Sequence, residues 1–157
     1  MKIKQLASIL LFLFLHSSCG TLGGFDIRTF PTSKKVLVRS IDTLFARHPE
    51  YIIPEKWKNI DTGFAIGYNF LDSRFFYFNA TPEEMYYVSF IGDANGSIQK
   101  DTTATRISIR AVNDGTSGWK LEKKFNSSER ERIEKRFDKE IIYKIEEYTK
   151  CVAIREK

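Results

Sequence analysis

The chain is predicted to fold as an α+β domain: a single antiparallel sheet of about five strands in a meander, with an N-terminal and a C-terminal helix packed on one face. Three observations predict it. Apolar residues recur at helical spacing near both ends of the domain, over residues 37–48 and 133–152. Between them the period drops to two, with Phe64, Ile66, Tyr68 and Phe70, and later Thr105, Ile107, Ile109 and Ala111, alternating with small or polar neighbours. The connections are turn clusters such as Gly92-Asp93-Ala94-Asn95-Gly96 and Asn113-Asp114-Gly115-Thr116-Ser117-Gly118, too short for parallel crossovers.

Each element has its own signal. Thr32 and Ser33 are helix N-cap types, and Leu37, Ile41, Leu44, Phe45 and His48 follow at i, i+4, i+7, i+8 and i+11 until Pro49 stops the pattern. Lys34, Lys35, Arg39 and Arg47 are offset by Asp42, so this helix lacks the broad cationic face of a membrane-surface helix and reads as core-packing. Residues 49–61, with Pro49 and Pro54, form an irregular connection in which Trp57 is either a lid or an aromatic that pins the loop to the domain. Strands are expected over 64–70, 74–79, 85–91, 105–111 and 119–125. Ser128 and Glu131 form the pattern of a capping box, after which Ile133, Phe137, Ile141, Ile145, Tyr148 and Val152 mark one apolar face. Glu131 with Lys135 and Glu140 with Lys144 lace the solvated face of that helix.

The residues ahead of the domain carry a different signal. Lys2 and Lys4 precede an apolar run from Leu6 to Leu15, shorter than the roughly 20 residues needed to span a bilayer, and small residues follow. Those are the three regions of a secretory signal. Leu15-His16-Ser17-Ser18-Cys19 resembles the lipobox of bacterial lipoproteins, in which a small residue precedes a cysteine that becomes the lipidated first residue. Ser17, Ser18 and Cys19 match; His16 stands where an aliphatic residue is usual, and the nearest leucine is one position earlier. The resemblance covers residues 1–19 and implies that Cys19 carries acyl chains, palmitate among them. At about 0.8 kcal/mol per buried CH₂, several chains together anchor a protein durably in the bilayer. Gly20, with no acidic run after it, is compatible with an outer-membrane lipoprotein facing the periplasm. On this reading residues 1–18 are the signal peptide, 19–31 the lipidated cysteine and a flexible tether, and 32–157 a single domain.

Two other routes stay open. Cleavage after Gly20 by ordinary signal peptidase gives a secreted chain, and cleavage before Cys19 without lipidation leaves Cys19 and Cys151 free to form a disulfide. Asn79-Ala80-Thr81, Asn95-Gly96-Ser97 and Asn126-Ser127-Ser128 match the glycosylation acceptor pattern of a secreted glycoprotein.

Composition narrows the function. Cutting 18 of the 157 residues leaves 139, enough for one domain with its own core. Losing Lys2 and Lys4 lowers the net charge from +5 to +3, and the basic residues are interleaved with acidic ones, so no nucleic-acid footprint is present. No phosphate loop, nucleophile elbow or metal-ligand spacing occurs, and His48 and Cys151 could pair only if both helix ends met, so neither an enzyme nor a cofactor is expected. The distinctive feature is a surplus of apolar strand positions. Phe75-Phe76-Tyr77-Phe78 and Met85-Tyr86-Tyr87-Val88-Ser89-Phe90-Ile91 cannot all point toward the helices. The expected binding face therefore comprises Phe76, Phe78, Tyr86, Val88 and Phe90, with Trp57 beside it. Two functions fit: a non-catalytic lipoprotein that binds a protein partner or a second copy through this aromatic face, or a carrier or sensor of an apolar small molecule held between the sheet and the Trp57 loop.

Overall fold

The computed structural model describes residues 24–58, 60, 71–92 and 103–156. The fold is α+β, an open antiparallel sheet of six strands with three helices. Strand β1 (Ile27–Phe30) leads into helix α1 (Lys34–Arg47). Single turns of tight helix at Pro49–Tyr51 and Glu55–Trp57 follow, then β2 (Ser73–Phe78), β3 (Glu84–Ile91), β4 (Thr105–Asn113) and β5 (Trp119–Leu121). Helices α2 (Ser127–Phe137) and α3 (Tyr143–Thr149) are joined by a π turn at Asp138–Ile142, and β6 (Ile154–Glu156) ends the order.

The sheet runs β2-β3-β4-β1-β6. Strand β4 is its axis: one edge pairs with β3 from Met85↔Asn113 to Ile91↔Arg106, while β1 and β5 share the other edge, at Thr105–Ile107 and at Ala111–Asn113. A bulge beside Tyr87 and Val88 lets Val112 and Ile109, three residues apart, both face the helices, where an unbroken strand would send them to opposite sides.

Helix α1 starts where Ser33 accepts a hydrogen bond from the Val36 amide, and it buries Leu37, Ile41 and Leu44. The C-terminal helical stretch buries Ile133, Phe137, Ile141, Ile142 and Ile145. Both cover the same sheet face, meeting Phe30, Phe76, Phe78, Tyr86, Val88, Ile107 and Ile109 in one core. Each such side chain removed from water contributes about 1.5–3 kcal/mol. Ile133, Phe137, Ile141 and Ile145 recur every four residues, whereas an α-helix has 3.6 per turn, so each step drifts by roughly 40° around a regular helix. The π turn, with its wider winding, takes up that drift and keeps Ile141 and Ile145 on the buried side.

Several expectations need correcting. Residues 27–30, read as the end of a tether, form β1, because Phe30 and the Arg28 guanidinium are held beneath the helices. The meander holds for β2, β3, β4 and β5, but β1, beside β5 on the same edge of β4, and β6 extend the sheet further. The expected strand over 119–125 stops at Leu121, and Glu122–Lys124 turns away from the sheet. The capping box of α2 is Asn126 with Glu129, two residues before the expected pair. Lys150, in the left-handed region at φ 58°, ends α3, so Val152 lies outside the helix and is exposed. The expected strand over 64–70 lies outside the described residues.

Candidate functional site

The structure places the residues of the expected aromatic face in the core. Phe76 stacks on Phe45 of α1 with ring centroids 5.2 Å apart and meets Phe137 of α2 edge-on at 6.1 Å. Phe78 packs on Tyr86 at 4.4 Å and on Tyr51 at 5.8 Å. Val88 joins the same cluster, and Phe90 lies beneath the Lys34 ammonium and the Arg74 guanidinium at 5.0 and 5.6 Å. Phe76 and Tyr86 have no exposed surface at all, so this is the face that the helices cover. Cys19 lies outside the described residues.

The opposite face carries Phe75, Tyr77, Met85 and Tyr87, and Trp57 packs there. Its ring meets Tyr77 edge-on at 5.8 Å, and its Nε1 donates to Glu83 at 3.1 Å. A Cβ on Gly115, which holds φ +78°, would stand only 3.1 Å from the Trp57 ring, so ring and turn are in close contact. The Tyr77 hydroxyl also donates to Glu83, and Lys56 reaches the same carboxylate at 2.5 Å. Lys56 and Tyr77 hold the Glu83 carboxyl below its usual range, while burial and then Glu83 push the Tyr77 hydroxyl up. Trp57 is thus the residue that pins the loop.

Two carboxylate–arginine clusters join α2 to the sheet. Glu84 is almost fully buried and accepts from Arg132 at 2.5 and 2.9 Å, from Arg136 at 2.8 Å and from the Tyr86 hydroxyl at 3.0 Å. Arg136 also donates to the carbonyls of Ala80 and Pro82, tying the helix to the β2–β3 turn. In the second cluster Arg28 grips Asp138 with two hydrogen bonds of 2.7 and 2.9 Å, and Arg155 of β6 pairs with Asp26 and Glu134. Glu83 and Glu84 point to opposite sides of the sheet, as adjacent residues on extended backbone must. Nothing in the linear order connects Glu84 to Arg132 and Arg136, so this cluster was not visible in the sequence.

His48 and Cys151 do not meet. His48 caps the end of α1 and pairs with Glu50 at 3.0 Å, whereas the Cys151 thiol lies 3.8 Å from the Pro31 carbonyl, before the helix begins. The 14 residues of α1, about 21 Å of helix, lie between the two neighbourhoods.

The outer side of the helix layer holds an open groove of about 420 Å³ between α1 and α3. Val36, Arg39, Thr43 and Arg47 line it from α1, one helical stripe at i, i+3, i+7 and i+11. Glu147 and Tyr148 line it from α3, with Lys150 at the turn beyond. Arg47 lies over the Tyr148 ring at 5.3 Å. Across much of the domain cations are matched: Lys34 and Arg74 with Asp72, Lys120 with Asp114, Arg130 with Glu122. Arg39, Arg47 and Lys150 have no carboxylate partner among the described residues, and the same holds for Lys35, Lys123, Lys124 and Lys139 outside the groove. The sequence showed these cations as part of a balanced helix surface; their convergence with Lys150 depends on how the two helices pack. Comparison with protein families, curated proteins and solved structures finds no match for this chain.

Proposed function

We propose that this chain is a non-catalytic lipoprotein of the cell envelope, anchored through acylated Cys19 in the outer membrane and facing the periplasm, whose α+β domain binds a protein partner. The observation that carries the reading is the stretch Leu15-His16-Ser17-Ser18-Cys19 at the end of an apolar run preceded by two lysines. The helix-covered position of Phe76, Phe78, Tyr86, Val88 and Phe90 moves the binding surface away from that aromatic face. The packing of Trp57 on Tyr77 and against Gly115 gives no support to a ligand chamber beneath the loop, so the partner-binding reading is preferred to the carrier.

The test is the intact mass of the protein recovered from the membrane fraction, beside a Cys19→Ala variant. The expected result is a chain beginning at Cys19 with the added mass of acyl groups, and loss of that species in the variant. An unmodified soluble chain, cut before Cys19 or after Gly20, overturns the anchor and favours a secreted protein.

A further inference from the structure

We infer that the groove between α1 and α3 is the docking site for an acidic segment of a partner protein, held by Arg39, Arg47 and Lys150. The inference rests on the partner-binding reading above and names the surface and the chemistry that reading left open. Three features support it. Arg39, Arg47 and Lys150 converge on one groove with Glu147 as the sole acid lining it, leaving a net positive site. None of the three is neutralised by a carboxylate among the described residues, and, unlike the equally unmatched Lys35, Lys123, Lys124 and Lys139, they line one groove together. Arginine and tyrosine, the side chains most often responsible for binding energy at interfaces, stand together where Arg47 covers Tyr148.

Spacing selects the occupant. Arg39 and Arg47 are eight residues apart on one helix, about 12 Å along its axis. A single phosphate or carboxylate is small against that span. In an extended peptide, side chains at i and i+4 project to the same side about 13 Å apart, so two acidic residues on one strand face match the two arginines. Val36, 39 % exposed at one end of the groove, offers an apolar contact beside the charged ones. An anionic bilayer is the poorer fit, because the cations line a concave groove that also holds Glu147, whereas a lipid surface is met by a broad convex cationic and apolar face.

Lys150 makes the idea separable from folding. It occupies the left-handed conformation that glycine adopts without strain, so Lys150→Gly removes the ammonium without disturbing the helix end. The experiment uses the full chain purified in mild detergent and a fluorescein-labelled ten-residue peptide of alternating Glu and Ser, read by fluorescence anisotropy. The same peptide with Gln for Glu, inorganic phosphate as competitor, and vesicles with one third anionic lipid are the other arms. Saturable binding of the Glu peptide is expected, weakened about tenfold or more by Arg39→Glu with Arg47→Glu and severalfold by Lys150→Gly. A Lys123→Glu, Lys124→Glu control, which reverses two exposed cations elsewhere, is expected to bind as the parent does. No binding, equal binding of the Gln peptide, equal loss in the control, full displacement by millimolar phosphate, or vesicle binding that depends on Arg39 and Arg47 in place of peptide binding overturns the inference. The peptide assay does not depend on acylation, so failure of the groove and failure of the Cys19 anchor are read by different measurements.

Discussion

Glu84 decides how the C-terminal helices meet the sheet. Its carboxylate is buried, with hydrogen bonds from Arg132, Arg136 and Tyr86, and removing the charge leaves the buried Arg136 with only the more exposed Glu140, at 3.2 Å, as counter-ion. Glu84→Gln is therefore expected to cost about 3 kcal/mol, read as a lower urea midpoint, while Arg132→Ala, at the more exposed end of the cluster, costs about 1 kcal/mol or less. The opposite order would show that the cluster does not clamp α2. Tyr51 supplies a pH signature. Burial, and then the nearby Glu140 and Glu50 charges, push its hydroxyl up to about 12 from an ordinary value near 10. Between those values the unfolded chain has released the proton and the folded chain has not, so stability is fully present below pH 10 and falls as the pH rises toward 12. Burial pushes Tyr86 and Tyr77 the same way, so Tyr51→Phe is expected to reduce that fall in denaturation midpoints taken across pH 9–12; an unchanged slope would exclude Tyr51 as a contributor.

At the scale of elements, helix ends were harder to place than helix faces. Leu37, Ile41 and Leu44 of α1 are buried as the spacing predicts, because helical period and burial are the same physical constraint, whereas Phe45 and His48 are half-buried and Ser40, outside the expected set, is buried with them. The start of α2 differs: Asn126 accepts from the Glu129 amide and Glu129 returns a bond to the Asn126 amide, while Ser128 already lies inside the helix. Two overlapping cap-type patterns stand in Asn126-Ser127-Ser128-Glu129-Arg130-Glu131, and local chemistry alone does not choose between them. Asn126→Ala is expected to lower stability by about 1 kcal/mol and Ser128→Ala to leave it nearly unchanged, measured by thermal unfolding. Equal effects would mean that the helix starts at both positions in solution.

For the molecule as a whole, the side of the sheet on which the helices lie changes the meaning of the aromatic strands. The strand pattern places Phe76 and Phe78 on the expected binding face, where a carboxylate in their place would be solvated and the domain would stay folded. Beneath α1 and α2 the same changes bury a carboxylate in a closed core. Phe76→Asp is accordingly expected to unfold the domain, with loss of the cooperative transition in circular dichroism; a folded variant would place Phe76 at a surface. Binding variants belong instead at Arg39, Arg47 and Lys150, which circular dichroism should show to be folded.

The sequence by itself determined the fold class, the two helical regions, the strands β2, β3 and β4 and the turn between β2 and β3, because each depends on chemistry within a few residues of chain. Its lipobox-like stretch also supplies the proposal about where the protein works. Tertiary structure decided which strand face is core. A period of two divides residues into two sets without saying which set the helices cover, and both sets here are rich in aromatics. It also decided the edges of the sheet, since Ile27–Phe30 and Ile154–Glu156 are too short to announce themselves as strands until each pairs with a distant partner. The Glu84 clamp and the groove of Arg39, Arg47 and Lys150 have the same origin. Their members are brought together by helix packing across the chain, a long-range arrangement that no local spacing encodes.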